Sequence, residues 1–140
     1  MEIKFQKINN GNLKRKQKEI YNYHKITSIL ADYGYASVRN PMDEKGADFF
    51  SIHSDGTLIK IQQKARFTIS KKYLDKEIWI VFLQDDKKIC LFPHDILVEF
   101  LKSNTKTNFN KPTGDWAEGR DYHIGKLTKI LKNELKKYIL

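Results

Sequence analysis

Asp48 and the triplet Gln62-Gln63-Lys64 are separated by little more than one hairpin of chain, and together they offer a carboxylate, an amide oxygen and an ammonium. Successive side chains of a strand point to opposite faces, so residues two apart share one. Asp48 shares a face with Phe50 and Ile52. In the next run Leu58, Lys60, Gln62 and Lys64 share one face, and Ile59, Ile61 and Gln63 the other. Between the runs, His53-Ser54-Asp55-Gly56 supplies Asp-Gly, a tight-turn signal that folds them into an antiparallel hairpin. Asp48 is thereby brought near Gln62 and Lys64. A divalent ion of the magnesium class takes oxygen ligands, one or two from carboxylates and the rest from water and substrate phosphate. Asp48 is the obvious ligand, with the Gln62 amide oxygen and the Gln63 backbone carbonyl as further donors. Lys64 would orient an attacking water or offset negative charge building on phosphorus. The chemistry so described is metal-dependent hydrolysis of a phosphodiester. The plainer alternative makes Asp48 the end of a turn after Gly46, and Gln62 and Lys64 the polar edge of a half-exposed strand.

The elements that must position these groups begin upstream. Leu13 to Tyr33 reads as a helix, with Asn10 or Asn12 to cap it and Gly34 to stop it. Tyr23, Ile26, Leu30 and Tyr33 form an apolar stripe at helical period, flanked by Ile20 and Ile29. Glu19 extends that stripe, which aims a carboxylate along the face expected to meet the sheet, where an unpaired charge is costly. The alternative is a Glu19 one turn from a fraying end that reaches solvent or a lysine.

On Glu19, Asp48, Gln62 and Lys64 the chain resembles the PD-(D/E)XK nuclease superfamily, over roughly residues 13 to 92. The resemblance implies a restriction-endonuclease-like α/β (α+β) core: a helix, a meander of strands carrying the motif, a further helix and another strand, in a mixed sheet of about four to five strands flanked by helices. It implies that Asp48 is the principal metal ligand, that Gln62 stands in the acidic slot, that Lys64 is the catalytic lysine and that Glu19 is the helix acid. Magnesium is the implied cofactor, with manganese as a substitute, and the implied activity is endonucleolytic cleavage of DNA. Two departures stand out. Gln62 replaces the usual acid, a neutral amide that holds a hard cation less well than a carboxylate, and Gly46-Ala47 precedes Asp48 where the family has proline. Glu19 or Glu44 would make up the missing charge. The alternative is a catalytically degenerate nucleic-acid-binding module on the same fold.

The 140 residues, 40% of them hydrophobic, suit one well-buried domain over 1–140. The single Cys90 forms no internal disulfide and no Cys/His cluster has zinc spacing, so a cytoplasmic home without a membrane span is expected. Charge points to the partner: 26 Lys and Arg against 17 Asp and Glu leave +9, with a pI near 9.5. A polyanion, DNA before RNA, is the natural counterpart. Lys14, Arg15, Lys16, Arg66, Lys71 and Lys72 are the candidate phosphate contacts, with Lys126, Lys129 and Lys132 further along. The alternative is a lysine-rich, merely solubilised surface.

Ile78 to Leu83 is a continuous apolar run, expected of a central strand covered on both faces. Ile89 to Phe92 is its short partner, and Pro93 opens a helix over Ile96–Leu101. His94-Asp95 reads as a turn histidine and a helix-start cap rather than a catalytic pair. Ser70 to Leu74 makes a helical turn too short for a crossover helix, a role that residues 93 to 103 would then take. Residues 103 to 123 are polar, carry Pro112, Gly114 and Gly119, and form a long loop pinned by Trp116. Arg120, Tyr122 and His123 add phosphate-binding, stacking and proton-transfer options. A helix from about Ile124 to Ile139 closes the chain, with Leu127, Leu131, Leu135 and Tyr138 on a face that meets the sheet or a homodimer partner.

Overall fold

Ile78, Ile80 and Phe82 point into one apolar cluster, and Trp79, Val81 and Leu83 into another. A strand buried on both faces demands a layer above and a layer below, and the chain supplies them. The computed structural model describes residues 1–42, 46–85, 87–104, 108–124 and 127–140. In chain order it contains α1 (Arg15–Asp32), β1 (Tyr35–Arg39), β2 (Phe49–His53), β3 (Leu58–Gln63), β4 (Phe67–Ile69), β5 (Ile78–Asp85), β6 (Lys88–Pro93), α2 (His94–Lys102), β7 (Tyr122–Ile124) and α3 (Lys129–Leu135). The main sheet has five strands in the order β1-β2-β3-β5-β6. It is mixed: β3 and β5 are parallel and the other neighbours antiparallel. This is an α+β core with the element order that the resemblance implies at its start, a helix leading into a three-stranded meander, followed by a parallel return strand.

Helix α1 covers one face through Ile26 and Leu30, both fully buried, over Phe49, Ile61, Val81 and Ile89. The expected stripe is shorter than its pattern. Tyr33 is half exposed, and the helix starts at Arg15 behind Lys14, because Asn9, rather than Asn10 or Asn12, caps a separate 3-10 turn at Asn10–Asn12. Gly34, at φ +84°, ends the helix as expected. The other face is covered by Leu97, Val98 and Leu101 of α2, Leu131 and Leu135 of α3, and Phe67 and Ile69 of β4.

The apolar run Ile78–Leu83 lies in β5, an interior strand buried on both faces as expected, although β3 takes the middle place. Three other expectations are corrected. The β3-to-β5 connection contains no α-helix: it is filled by β4 and a 3-10 turn at Lys71–Tyr73, and α2 follows β6 instead of crossing over. Tyr122–Ile124 is a strand that pairs antiparallel with Phe67–Ile69, so the long loop and the last helix do not meet at 124. The last helix starts at Lys129, where Thr128 Oγ1 accepts from Leu131 N at 3.3 Å, and tightens to a 3-10 turn at Lys136–Tyr138. Leu140 then exchanges both backbone hydrogen bonds with Ile89, which covers the open edge of β6. Trp116 does pin the long loop, buried against Phe109, which meets Tyr122 edge to face. Among the described residues no helix is long and apolar enough to cross a membrane. Glu44 and Lys126 lie outside the described residues.

Candidate functional site

The hairpin sets the register that matters. Gly56, at φ +93°, turns the chain between β2 and β3, and Asp55 Oδ1 accepts from Thr57 N at 2.8 Å. That bond holds the Asp55 carboxyl down at about 2. Phe49 then pairs with Ile61 and Phe50 with Lys60. Asp48 stands one residue before β2, its backbone held on both sides: Asp48 N donates to Ile61 O at 2.8 Å and Asn40 N to Asp48 O at 2.9 Å. Its side chain is fixed as well, because Gln63 N donates to Asp48 Oδ2 at 2.8 Å. A carboxylate held by a backbone N–H is a charge-assisted, oriented group.

Gln62 and Lys64 flank Gln63 on the opposite parity, and both border one cavity of about 370 Å³ with Asp48, Lys72 and Tyr73. The predicted meeting of Asp48, Gln62 and Lys64 is therefore present. The Gln63 carbonyl has the parity of the Ile61 carbonyl that receives Asp48 N, so it faces the β2 side. The Gln63 side chain turns to the other face of the sheet, where its Nε2 donates to Glu19 O at 3.0 Å.

Glu19 extends the stripe in phase but is not buried. Its side chain is 56% exposed and pairs with Lys16 Nζ at 3.5 Å. The reason is position along the helix: Glu19 is in phase with Ile26 and Leu30 but stands near the first turn, about 10 Å before Ile26 and ahead of the buried stretch, where its side chain reaches solvent and Lys16. It still borders the site, since a second cavity of about 290 Å³ is shared by Glu19, Tyr23, Arg39, Asp48 and Gln63. A third, of about 550 Å³, runs from Arg15, Lys18 and Asn22 to Gln63 and Lys64. Asp48, Gln63 and Lys64 thus sit at the junction of three openings around the end of β3.

The cationic candidates separate into groups. Lys14 and Arg66 are exposed, Arg15 fronts the largest opening, and Lys16 is engaged by Glu19. Lys71 and Lys72 are drawn toward the long loop: Lys71 Nζ donates to Ala117 O at 3.4 Å and Lys72 Nζ pairs with Asp121 at 3.7 Å. Arg120 is taken up by Asp115 and Glu118. His94 is fully buried; its Nε2 accepts from Ser70 N at 3.1 Å and its Nδ1 meets Asp95 Oδ1 at 2.8 Å. Burial lowers its pKa, against the opposing pull of Asp95. Asp95 Oδ2 in turn accepts from Asp75 N at 2.9 Å, so the pair brackets the 3-10 turn at both ends as a structural clamp.

That turn carries a residue the sequence did not mark. Tyr73 is buried, stands edge-on to His94, and lies under both Lys64 Nζ, at 5.3 Å, and Lys72 Nζ, at 5.2 Å. Burial raises its phenol pKa, offset in part by Lys72. Asp121 was equally unmarked. Its carboxylate pairs with Lys64 at 3.7 Å and with Lys72 at 3.7 Å. The signal for both lay in the β4–β7 pairing, which no three-residue pattern reveals.

Among the described residues no three His, Cys, Asp or Glu side chains come together as a metal-holding group. The donors present are an oriented carboxylate, a neutral amide and a strand carbonyl facing the same side. They fit an ion of the magnesium class, which keeps several waters and takes one or two carboxylates beside substrate phosphate.

Neither a protein-family model nor a curated protein sequence matches the chain. Two solved structures are similar in backbone outline. One is a Holliday junction resolvase (Hjc) of the archaeal hyperthermophile Archaeoglobus fulgidus, 15% identical with a TM-score of 0.42, covering 52% of this chain and 76% of that one. The other is a bacterial homing endonuclease, 13% identical with a TM-score of 0.49, covering 84% of this chain and 80% of that one. Overlaps of this extent assign no side chain in the site.

Proposed function

We propose that this protein is a metal-dependent endonuclease that hydrolyses DNA phosphodiester bonds from the junction of Asp48, Gln62 and Lys64. The observation that carries the reading is their convergence on one cavity, with the Asp48 carboxylate locked by the Gln63 N–H. A strand edge of casual polar residues has no reason to fix a carboxylate by a backbone donor beside a lysine that is only 19% exposed.

In this reading Asp48, Gln62 and the Gln63 carbonyl hold a magnesium or manganese ion, with Glu19 reaching it through water. The ion, when bound, polarises the phosphate and lowers the pKa of a bound water. Lys64 binds the scissile phosphate and orients the attacking water, and its charge offsets that developing on the phosphoryl oxygens. Arg15 and Lys18 border the opening through which a strand would run. Such contacts give affinity and salt dependence rather than sequence choice.

The test is incubation with plasmid, linear duplex, branched and single-stranded DNA, in magnesium, manganese or chelator. Cleavage is expected with metal only. Asp48→Ala and Lys64→Ala should each reduce the rate by on the order of 10²-fold or more. Undiminished cleavage by both variants would remove the reading. The second reading, a binding module without catalysis, is favoured by the neutral Gln62 and the lack of a three-acid group among the described residues. It requires salt-sensitive DNA binding that survives Asp48→Ala, and magnesium-dependent cleavage by the pure protein would dismiss it.

A further inference from the structure

Strand β7 pairs with β4 in the register Ile69–Tyr122, which places Asp121 opposite Ser70 one step on. The Ser70 hydroxyl lies beside the Asp121 carboxylate and favours its charged form. Ser70 is itself immobilised, buried and with its N–H held by the buried His94 ring. The two oxygens of Asp121 are divided between two ammoniums, Oδ2 to Lys64 and Oδ1 to Lys72, each at 3.7 Å. A row of contacts therefore runs from the base of α2 through Ser70 and Asp121 to the motif lysine.

We propose that Asp121 is a positioning residue for Lys64, supplying from the long loop the carboxylate that β3 lacks at Gln62. The proposal rests on the nuclease reading for its catalytic consequence, but not for its geometry. An exposed ion pair would contribute little and constrain nothing, because each side chain would keep its rotamer freedom. Here the lysine is mostly buried over the Tyr73 ring, and the carboxylate, next to a strand held by its pairing with β4, is shared with Lys72. Burial raises the Asp121 pKa, but the Ser70 bond, Lys64 and Lys72 outweigh it and hold the carboxyl below its usual range. It is ionised at neutral pH. With a neutral amide at position 62, the Asp121 carboxylate is what holds the Lys64 ammonium in place.

Two measurements test this. The first needs neither DNA nor metal: labelling of each lysine by acetic anhydride, read by mass spectrometry, with exposed Lys132 as reference. Asp121→Asn should raise the Lys64 labelling rate by on the order of fivefold, Ser70→Ala should raise it by less, and Asp121→Glu should stay near the parent. Unchanged Lys64 labelling in both Asp121→Asn and Ser70→Ala overturns the proposal. The second is cleavage: Asp121→Asn should lower kcat on the order of 10- to 100-fold at an unaltered KM, with partial recovery in Asp121→Glu. A parent that cleaves while Asp121→Asn keeps full kcat also overturns it. A parent that cleaves nothing would end the nuclease reading instead, and the labelling result would then decide the role of Asp121 alone.

Discussion

In the proposed nuclease Gln62 is the residue on which the chemistry would turn, because it would occupy the slot where a carboxylate binds a hard cation more strongly. Gln62→Glu should lower the magnesium concentration needed for half-maximal cleavage by about tenfold, the equivalent of one added charge-assisted contact. An unchanged metal requirement would mean that position 62 does not touch the ion. His94 has a different sort of consequence. Burial holds the ring neutral and its folded pKa below the ordinary 6.5. Between those two values the unfolded chain binds a proton that the folded protein does not, so stability is full above about pH 6.5 and falls as pH drops through that window. The melting temperature should fall between about pH 7 and about pH 5, and His94→Gln should lose most of that slope while melting lower throughout. A slope that persists in the variant would assign it to other groups.

At the scale of elements, the site depends on how the chain enters β2. Gly46 has φ +75°, and a Cβ there would lie 3.1 Å from Tyr73 Cδ1. A side chain would be strained by the backbone and pressed against a buried ring, so Gly46→Ala should cost about 1–2 kcal/mol and shift Asp48. Denaturant melts read the first effect and a raised metal requirement the second; a neutral substitution would show that the turn adapts. The β4–β7 ribbon has comparable weight, since Asp121 directly precedes one strand and Ser70 directly follows the other. Its absence from the sequence reading has a plain cause. Three-residue strands are too short for a period to declare itself, and Tyr122–Ile124 lies far in sequence from the Phe67–Ile69 it pairs with. Helix α1 shows the reverse case. Its period is legible and puts Glu19 on the right face, but not its burial, because near the first turn a residue ahead of the covered stretch is free to reach solvent and Lys16.

For the whole molecule, the layers leave one region open. Helix α1 shields one face of the sheet and α2, α3 and the small ribbon the other, and the three cavities meet where β3 emerges between them. The excess of +9 makes a polyanion the natural occupant. DNA binding should weaken linearly in log–log plots against salt, and Arg15→Ala should reduce the slope by about 1 without changing preference among DNA sequences. Fluorescence anisotropy across a salt series measures this directly. An unaltered slope would remove Arg15 from the path of the strand.

The sequence by itself determined the parts that rest on local periodicity and local turn chemistry. Alternation through Ile59, Gln62 and Lys64, together with Asp55-Gly56, was enough to bring Asp48 to the motif, because the tight turn fixes the register of the hairpin and a one-residue slip would turn Phe49 and Ile61 out of the core. The apolar run at Ile78–Leu83 declared a doubly covered strand for the same reason. Only the tertiary structure decided that β3 is the middle strand, that the crossover carries a ribbon instead of a helix, and that Asp121 and Tyr73 close around Lys64. These depend on pairings between segments distant in sequence, whose free energy comes from burying both partners together. Neither segment, taken alone, records the other.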